Sequence, residues 1–264
     1  MKPIRLVQFT DTHLFADAHG RLCGLDTADS LAKVIALARA DRWPPDGVLA
    51  TGDLSQDESP ASYLAVRHAL GTLGAPVHCL PGNHDVPRRL AESLAGSPTV
   101  HLTRWVDLNT WQIVLLNSMV PRDNGGELAG DELDFLDRTL AANPHRHALI
   151  ALHHNPVEVG SHWLDQMRLR NDAAFFNIID RHPHVRGIVW GHIHQEFDSL
   201  RNGVRMMGTP STGLQFLPGS YDFAIDAAPP GYRTIELQEG GFIKTAVRRL
   251  PSYAYTPDLS TRGY

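Results

Sequence analysis

The stretch "LPGNHDVP" covers residues 80–87 and closes the apolar run "APVHCL" with a proline and a glycine. An amide, an imidazole and a carboxylate then follow in direct succession, at Asn83, His84 and Asp85. Proline and glycine are typical of the end of a strand. Polar groups that leave a buried strand need hydrogen-bond partners or a chemical role. The stretch therefore predicts a functional site at the end of a buried strand.

The same arrangement recurs along the chain, where strand-like segments end in carboxylates or imidazoles. These segments are "IRLVQFT", "DGVLATGD", "HALIALHH" and "VRGIVWGHIH". Ligands of open α/β sheets bind at the carboxyl ends of the strands, so we expect these side chains to meet there. Nitrogen and oxygen donors without thiolates suit Mn, Fe or Zn. The residues at these ends are Asp11 and His13, Asp53, His153 and His154, and His192 and His194.

The order of the predicted elements indicates a layered α/β fold. Helical periodicity predicts helices near residues 28–40, 59–74, 131–141 and 175–179, interleaved with the strands. Two hairpins follow, over residues 196–208 around Asn202-Gly203 and over residues 232–250. Alternation followed by antiparallel strands favours a sandwich of mixed sheets. We expect one domain over residues 1–250 and an extended arm over residues 251–264.

Composition narrows the class of protein. The chain has 264 residues, of which 42% are hydrophobic and 20% charged, and its formal net charge is −5. This charge provides no basic surface for nucleic acid or an acidic membrane. No apolar stretch approaches the ~20 residues that span a bilayer. Two cysteines, Cys23 and Cys79, are too few for a disulfide framework, which predicts a reducing compartment, the cytoplasm.

Single motifs have ordinary explanations as well. The chain has 15 histidines, so a His-x-His pair alone is weak evidence. We interpret "HRH" at 145–147 and "HPH" at 182–184 as solvated segments, and an aspartate such as Asp11 often caps a turn. The joint placement of five polar strand ends is what favours a metal site.

Together the segments "DTH", "GD", "GNHD", "HHNP" and "GHIH" resemble the calcineurin-like metallophosphoesterase superfamily. The segments "GLDT", "WLDQMRLRN", "GTPSTGLQF" and "PDLSTRGY" extend the resemblance to the bacterial 3′,5′-cyclic AMP phosphodiesterase group over nearly the whole chain. The implied fold is a four-layer αββα sandwich, two mixed sheets flanked by helices. Asn155 departs from the more usual His-His-Pro-Pro pattern beside the implied site.

The resemblance implies a site for two divalent ions, Fe or Mn with Zn as the alternative. Asp53 would bridge the ions, and His153 rather than His154 would be a ligand, although adjacent histidines are hard to separate by sequence. The first ion would take Asp11, His13 and His194, and the second Asn83, His153 and His192.

The resemblance also implies hydrolysis of cyclic AMP to 5′-AMP by a metal-bridging hydroxide. His84, oriented by Asp85, would protonate the leaving oxygen. The expected partner is therefore a small phosphodiester, and the oligomeric state stays open, a homodimer being one alternative. The candidate substrate contacts are Asn83, His84, His194, His162, Arg170, Asn171 and Phe216, although Trp163 and Phe216 also suit a packing role.

Other functions fit the same pattern. A broad-specificity or glycerophosphodiester phosphodiesterase would use the same metals, and so would a phosphoprotein phosphatase. A non-catalytic scaffold is the alternative from another class, but it is disfavoured because every implied ligand position and His84 are filled.

Overall fold

The computed structural model describes residues 2–258, in which strands and helices alternate before a series of antiparallel strands. The helices are Thr27–Arg39 (α1), Pro60–Gly71 (α2), Pro87–Leu94 (α3), Gly130–Ala142 (α4), His162–Asp165 (α5) and Asp172–Ile179 (α6). The strands are Ile4–Phe9 (β1), Arg21–Leu22 (β2), Leu25–Asp26 (β3), Gly47–Thr51 (β4), Val77–Leu80 (β5), Val100–Leu102 (β6), Trp105–Leu108 (β7), Trp111–Leu115 (β8), His147–Ala151 (β9), Val185–Trp190 (β10), Phe197–Arg201 (β11), Val204–Gly208 (β12), Gly231–Leu237 (β13) and Ile243–Arg249 (β14).

Two six-stranded mixed sheets form the centre of the molecule. The first has the order β14-β13-β1-β4-β5-β6, and β1, β4, β5 and β6 run parallel. The second has the order β11-β12-β10-β9-β8-β7, with β8, β9, β10 and β12 parallel. The two-residue strands β2 and β3 form a separate small hairpin. Both parallel sections direct their carboxyl ends to loops that carry the candidate site residues.

Alternating side chains produce four layers. On β1, Val7 and Phe9 pack against α1 and α2, whereas Leu6 packs against the second sheet. On β9, Ala148 and Ile150 face the core under α4 and α6, and the intervening positions face the first sheet. Successive strand residues point to opposite faces, so both faces of each sheet are buried. The predicted αββα sandwich is confirmed.

Local sequence explains how several elements begin and turn. The Ser59 side chain accepts a hydrogen bond from Ser62 N at the start of α2, and Pro60 occupies the first turn, as predicted. Asn202 and Gly203 have φ of 50° and 82°, and β11 pairs with β12 in the predicted hairpin.

The histidines 182 and 184 are half-buried, and His182 Nε2 lies 2.7 Å from Asp137 Oδ1, so the prediction of solvated segments is wrong there.

The C-terminal segment packs against the start of the chain. Residues 251–258 contain no regular helix or strand. The Tyr253 hydroxyl donates to Asp29 Oδ2 at 2.8 Å, and Asp258 N donates to Cys23 O. Residues 259–264 of the predicted arm lie outside the described residues, and the domain boundary at 250 stays a prediction. Within residues 2–258, no helix is both long and apolar enough to cross a bilayer.

Candidate metal centre

The loops after β1 and β4 continue side by side beyond the first sheet. Asp11 N donates to Gly52 O, His13 N donates to Asp53 O, and Leu14 N donates to Leu54 O. These hydrogen bonds extend the pairing of the two strands past their ends, because β1 and β4 are already parallel neighbours. The two loops therefore hold Asp11, His13 and Asp53 in one fixed arrangement.

Five of the predicted site residues have the left-handed backbone conformation that non-glycine residues rarely adopt. Their φ values lie between 44° and 65°. Each such residue costs of order 1–3 kcal/mol and persists only where the surrounding structure enforces it. Because these strained residues cluster where the strands end, the strand ends differ from ordinary turns. The residues are Asp11, His13, Asp53, His192 and His194.

Glycines bring the loops closer than side chains would allow. A Cβ atom on Gly82 would lie 2.1 Å from Asp53 Oδ1, and one on Gly191 would lie 2.6 Å from Asp11 Oδ2. Gly82 also begins a turn that the hydrogen bond from Asp85 N to Gly82 O closes at 3.2 Å. These glycines let the ligand-bearing loops of both sheets converge.

The first group of donors consists of Asp11, His13 and His194. The Nε2 atoms of the two histidines lie 3.3 Å apart, and Asp11 Oδ1 lies 3.2 Å from His194 Nε2. His13 Nδ1 faces the acceptor Gln56 Oε1, and His194 Nδ1 faces the carbonyl of Leu214. Both Nδ1 atoms must donate, so both Nε2 atoms of the neutral rings direct lone pairs at one point. This convergence of lone pairs fits a cation.

The second group has the same character. His153 Nδ1 donates to Thr51 O at 2.8 Å, which leaves Nε2 unprotonated in the neutral ring. That Nε2 lies 3.0 Å from Asn83 Oδ1, and His192 Nδ1 also lies 3.0 Å from this oxygen. An amide oxygen and imidazole nitrogens thus converge on a second position that fits a divalent ion.

Asp53 lies between the two groups. Its Oδ2 is 3.3 Å from His153 Nε2 and 3.8 Å from His13 Nε2. Burial raises the pKa of Asp53, but the imidazoles of His153 and His84 outweigh burial and hold that pKa well below its usual range. Asp53 is therefore a carboxylate at neutral pH, available to both positions.

Burial also favours the neutral, metal-binding form of two of the site histidines. It lowers the pKa of His13 to about 3, and it lowers that of His192 well below the usual range. His192 is oriented from its backbone, because its N–H donates to Asp11 Oδ1 at 3.0 Å. His153 differs: burial lowers its pKa, but the nearby Asp53 carboxylate outweighs burial and raises that pKa to about 9. A cation that binds His153 therefore displaces a proton.

The adjacent histidines His153 and His154 point to different partners. His154 Nδ1 pairs with Ser118 Oγ at 2.8 Å, and its ring lies 4.7 Å from that of His192. One of its ring nitrogens still lies within 4.8 Å of ring nitrogens of His153 and His192, so the three histidines form a further candidate group. The geometry favours His153 as the ligand, because His153 approaches both Asp53 and Asn83.

The loop of the opening motif is held by Asp85. Its carboxylate accepts hydrogen bonds from the backbone N–H of Gly82, Leu54 and Ser55. Asp85 therefore ties the backbone around His84 to the loop of Asp53. The His84 N–H donates to Asp53 Oδ1 at 2.9 Å, and its ring contacts that of His13 at 5.1 Å. His84 thus stands at the edge of the first donor group.

The predicted substrate contacts separate into two kinds. Phe216 is fully buried and stacks on His194, with ring centroids 4.1 Å apart, which favours the packing role over a substrate contact. Asn171 braces Leu128 through both of its amide atoms, which gives it a structural role. His162 stacks on Tyr221, and Arg170 pairs with Asp123. These last two remain exposed.

The fold and the paired donor groups define the class. The chain belongs to the calcineurin-like phosphoesterase family, whose model matches residues 4–196. It is 41% identical over 261 residues to the 3′,5′-cyclic adenosine monophosphate phosphodiesterase CpdA of Pseudomonas aeruginosa, with 99% of this chain and 95% of that protein covered. It is 43% identical over 262 residues to CpdA of Vibrio vulnificus, with the same coverage of both chains.

Solved structures show the same fold. A dimetal phosphatase from Danio rerio superposes with a TM-score of 0.64 at 15% identity, over 94% of this chain and 99% of the other. At that identity the likeness concerns the fold alone. The chain is thus a metallophosphoesterase whose His/Asp cluster is compatible with a dinuclear metal site.

Proposed function

We propose that this protein is a dinuclear-metal phosphodiesterase that hydrolyses 3′,5′-cyclic AMP to 5′-AMP. The observation that carries the proposal is the pair of convergent donor groups that share Asp53. Similarity to cyclic AMP phosphodiesterases over 99% of the chain supports the choice of substrate.

In this proposal the ions are Mn or Fe, with Zn as the alternative, because the donors are imidazoles, carboxylates and one amide oxygen. When bound, such a pair supplies positive charge for the phosphate and lowers the pKa of water toward ~7. The residues that would hold the first ion are Asp11, His13 and His194, those for the second are Asn83, His153 and His192, and Asp53 would bridge them.

The side chains around the donors have distinct tasks in this scheme. His84 would donate a proton to the 3′-oxygen of the ribose as it leaves, and Asp53 holds the His84 backbone at 2.9 Å. Asp85 fixes the segment from Gly82 to His84 through backbone hydrogen bonds. General acid catalysis of this kind contributes ~10²–10⁴-fold. Asn83, His84 and His194 would then line the phosphate position.

In this proposal, exposed residues recognise the nucleoside. His162 and Arg170 line a polar cavity of about 420 Å³ together with Arg168 and Glu158. Their exposure leaves them available to the base or ribose, in contrast to the buried Phe216. The chain has two cysteines, too few for a disulfide framework, and we propose a cytoplasmic location on that basis.

Metal removal and a substrate panel test this proposal. The metal-free protein should hydrolyse no cyclic AMP, and Mn²⁺ or Fe²⁺ should restore turnover. With metal restored, kcat/KM should be higher for cyclic AMP than for a glycerophosphodiester or an aryl phosphodiester. A higher kcat/KM for the glycerophosphodiester would identify that diester, rather than cyclic AMP, as the substrate. Absence of turnover on every diester despite two bound ions would favour the scaffold hypothesis.

A further inference from the structure

We infer that Gln56 is a positioning residue that fixes the ring of His13 so that its Nε2 faces the first donor group. This inference rests on the proposed dinuclear function, and it assigns to Gln56 a role in loading one of the two metal positions. Gln56 Oε1 lies 2.6 Å from His13 Nδ1. An amide oxygen only accepts, so this contact places the ring proton on Nδ1.

The backbone of Gln56 is itself fixed relative to His13. Gln56 N donates to the carbonyl of Leu14, the residue after His13, at 2.9 Å. This hydrogen bond continues the ladder in which His13 N donates to Asp53 O. Leu14 and Ser55 also form a parallel bridge at this point. The backbone of Gln56 is thus attached to the same loop that its side chain orients.

Gln56 differs in kind from the partners of the other histidines. His153 and His194 donate from Nδ1 to the backbone carbonyls of Thr51 and Leu214, which no side-chain substitution removes. His13 alone among these three depends on a side chain. Of these three Nδ1 contacts, the one at His13 is therefore the one that a substitution of the acceptor side chain can remove.

The choice of an amide has an electrostatic consequence. Asp11 and Asp53 already place two fully buried carboxylates at the site. An acceptor without charge orients His13 and adds no third negative charge. Outer partners of this kind raise metal affinity by about 10–100-fold, because they fix the tautomer and orientation of the ligand ring. We therefore assign selective support of the first position to Gln56.

Three variants separate positioning from general stability. Gln56→Leu removes the acceptor, Gln56→Glu keeps an acceptor oxygen, and Gln112→Leu is the control, since Gln112 is a buried glutamine on β8 that contacts Trp105 and Asn143. Titration of metal-free protein with Mn²⁺ should show two ions per chain for the wild type and for Gln112→Leu. In Gln56→Leu one site should weaken by about 10–100-fold while the other keeps its affinity, and Gln56→Glu should restore the weakened site.

A spectroscopic measurement tests the inference without metal. In ¹⁵N-histidine spectra of the metal-free wild type, His13 should carry its proton on Nδ1, whereas Gln56→Leu should show a mixture of tautomers. Two unchanged Mn²⁺ affinities in Gln56→Leu, or an unchanged tautomer, would overturn the role of Gln56. Failure of the wild type itself to hydrolyse diesters would instead count against the proposed function, and the tautomer result would still decide the inference.

Discussion

Substitution of His84 should lower turnover and leave metal binding unchanged. Its ring lies beside His13, and its backbone is bonded to Asp53, but it belongs to neither donor group. We expect His84→Ala to lower kcat for cyclic AMP by ~10²–10⁴-fold, because the leaving oxygen loses its acid. Metal content, measured by elemental analysis, should stay at the wild-type level. The matched control is His101→Ala at an exposed position of β6. Full turnover in His84→Ala would contradict the assignment.

Substitution of Gly82 tests whether metal binding requires the close approach of its loop to Asp53. The Cβ of Gly82→Ala would require Asp53 Oδ1 to move from a position 2.1 Å away. Since Asp53 lies between the two donor groups, the variant should bind less metal at both positions. Gly130→Ala is the comparison, because a Cβ there meets no atom within 4 Å. Equal metal affinities of the two variants would show that the loops of Gly82 and Asp53 can move apart without loss of metal binding.

At the level of elements, the start of α2 is stabilised by a side-chain cap. Ser59 Oγ accepts from Ser62 N at 3.0 Å. Ser59→Ala should lower the free energy of unfolding by about 1 kcal/mol, because one N–H of the first turn loses its acceptor. Denaturant titration measures this change, with Ser252→Ala in the exposed C-terminal segment as the control. Unchanged stability of Ser59→Ala would mean that water replaces the cap.

Regular patterning explains which elements the sequence predicts correctly. Buried runs such as "VRGIVW" and helical spacing in α1 were identifiable, and so was the Asn202-Gly203 turn. Strands β6 and β7 and helix α3 were missed. Both strands are short and partly exposed, so they lack a continuous apolar run. Their pairing depends on the neighbouring strands of each sheet, which local sequence does not specify.

Some features of the candidate site could likewise be predicted from the sequence, and others could not. Side chains at strand ends could be predicted to converge, because parallel strands bring their carboxyl ends to one edge. Gln56 and the stacking of Phe216 on His194 could not, since both depend on how loops from distant parts of the chain pack together. Asp85 likewise reveals its backbone partners only in the folded chain.

At the scale of the whole molecule, a buried polar network joins the two sheets behind the metal centre. Gln8 on β1 donates to Thr51 Oγ1 and to the carbonyl of Trp190, which belongs to the second sheet. Arg233 on β13 donates to the carbonyls of Gly208 and Phe197 across the same interface. Because each donor group takes residues from both sheets, these cross-sheet hydrogen bonds fix the relative position of the ligands.

Metal removal should therefore weaken the whole fold. The donor groups bring buried carboxylates and imidazoles from the loops of both sheets within 3.2–3.3 Å of one another, so bound ions would join those loops. An ion present at 100 times its dissociation constant stabilises the native state by about 2.7 kcal/mol. For a protein of this size that corresponds to roughly 5–10 °C in Tm per ion. Calorimetry with EDTA should show this decrease, and Mn²⁺ should reverse it. Asp53→Asn, which lacks the shared carboxylate, should show a much smaller shift. An unchanged Tm of the wild type in EDTA would mean that the two sheets are held without the metals.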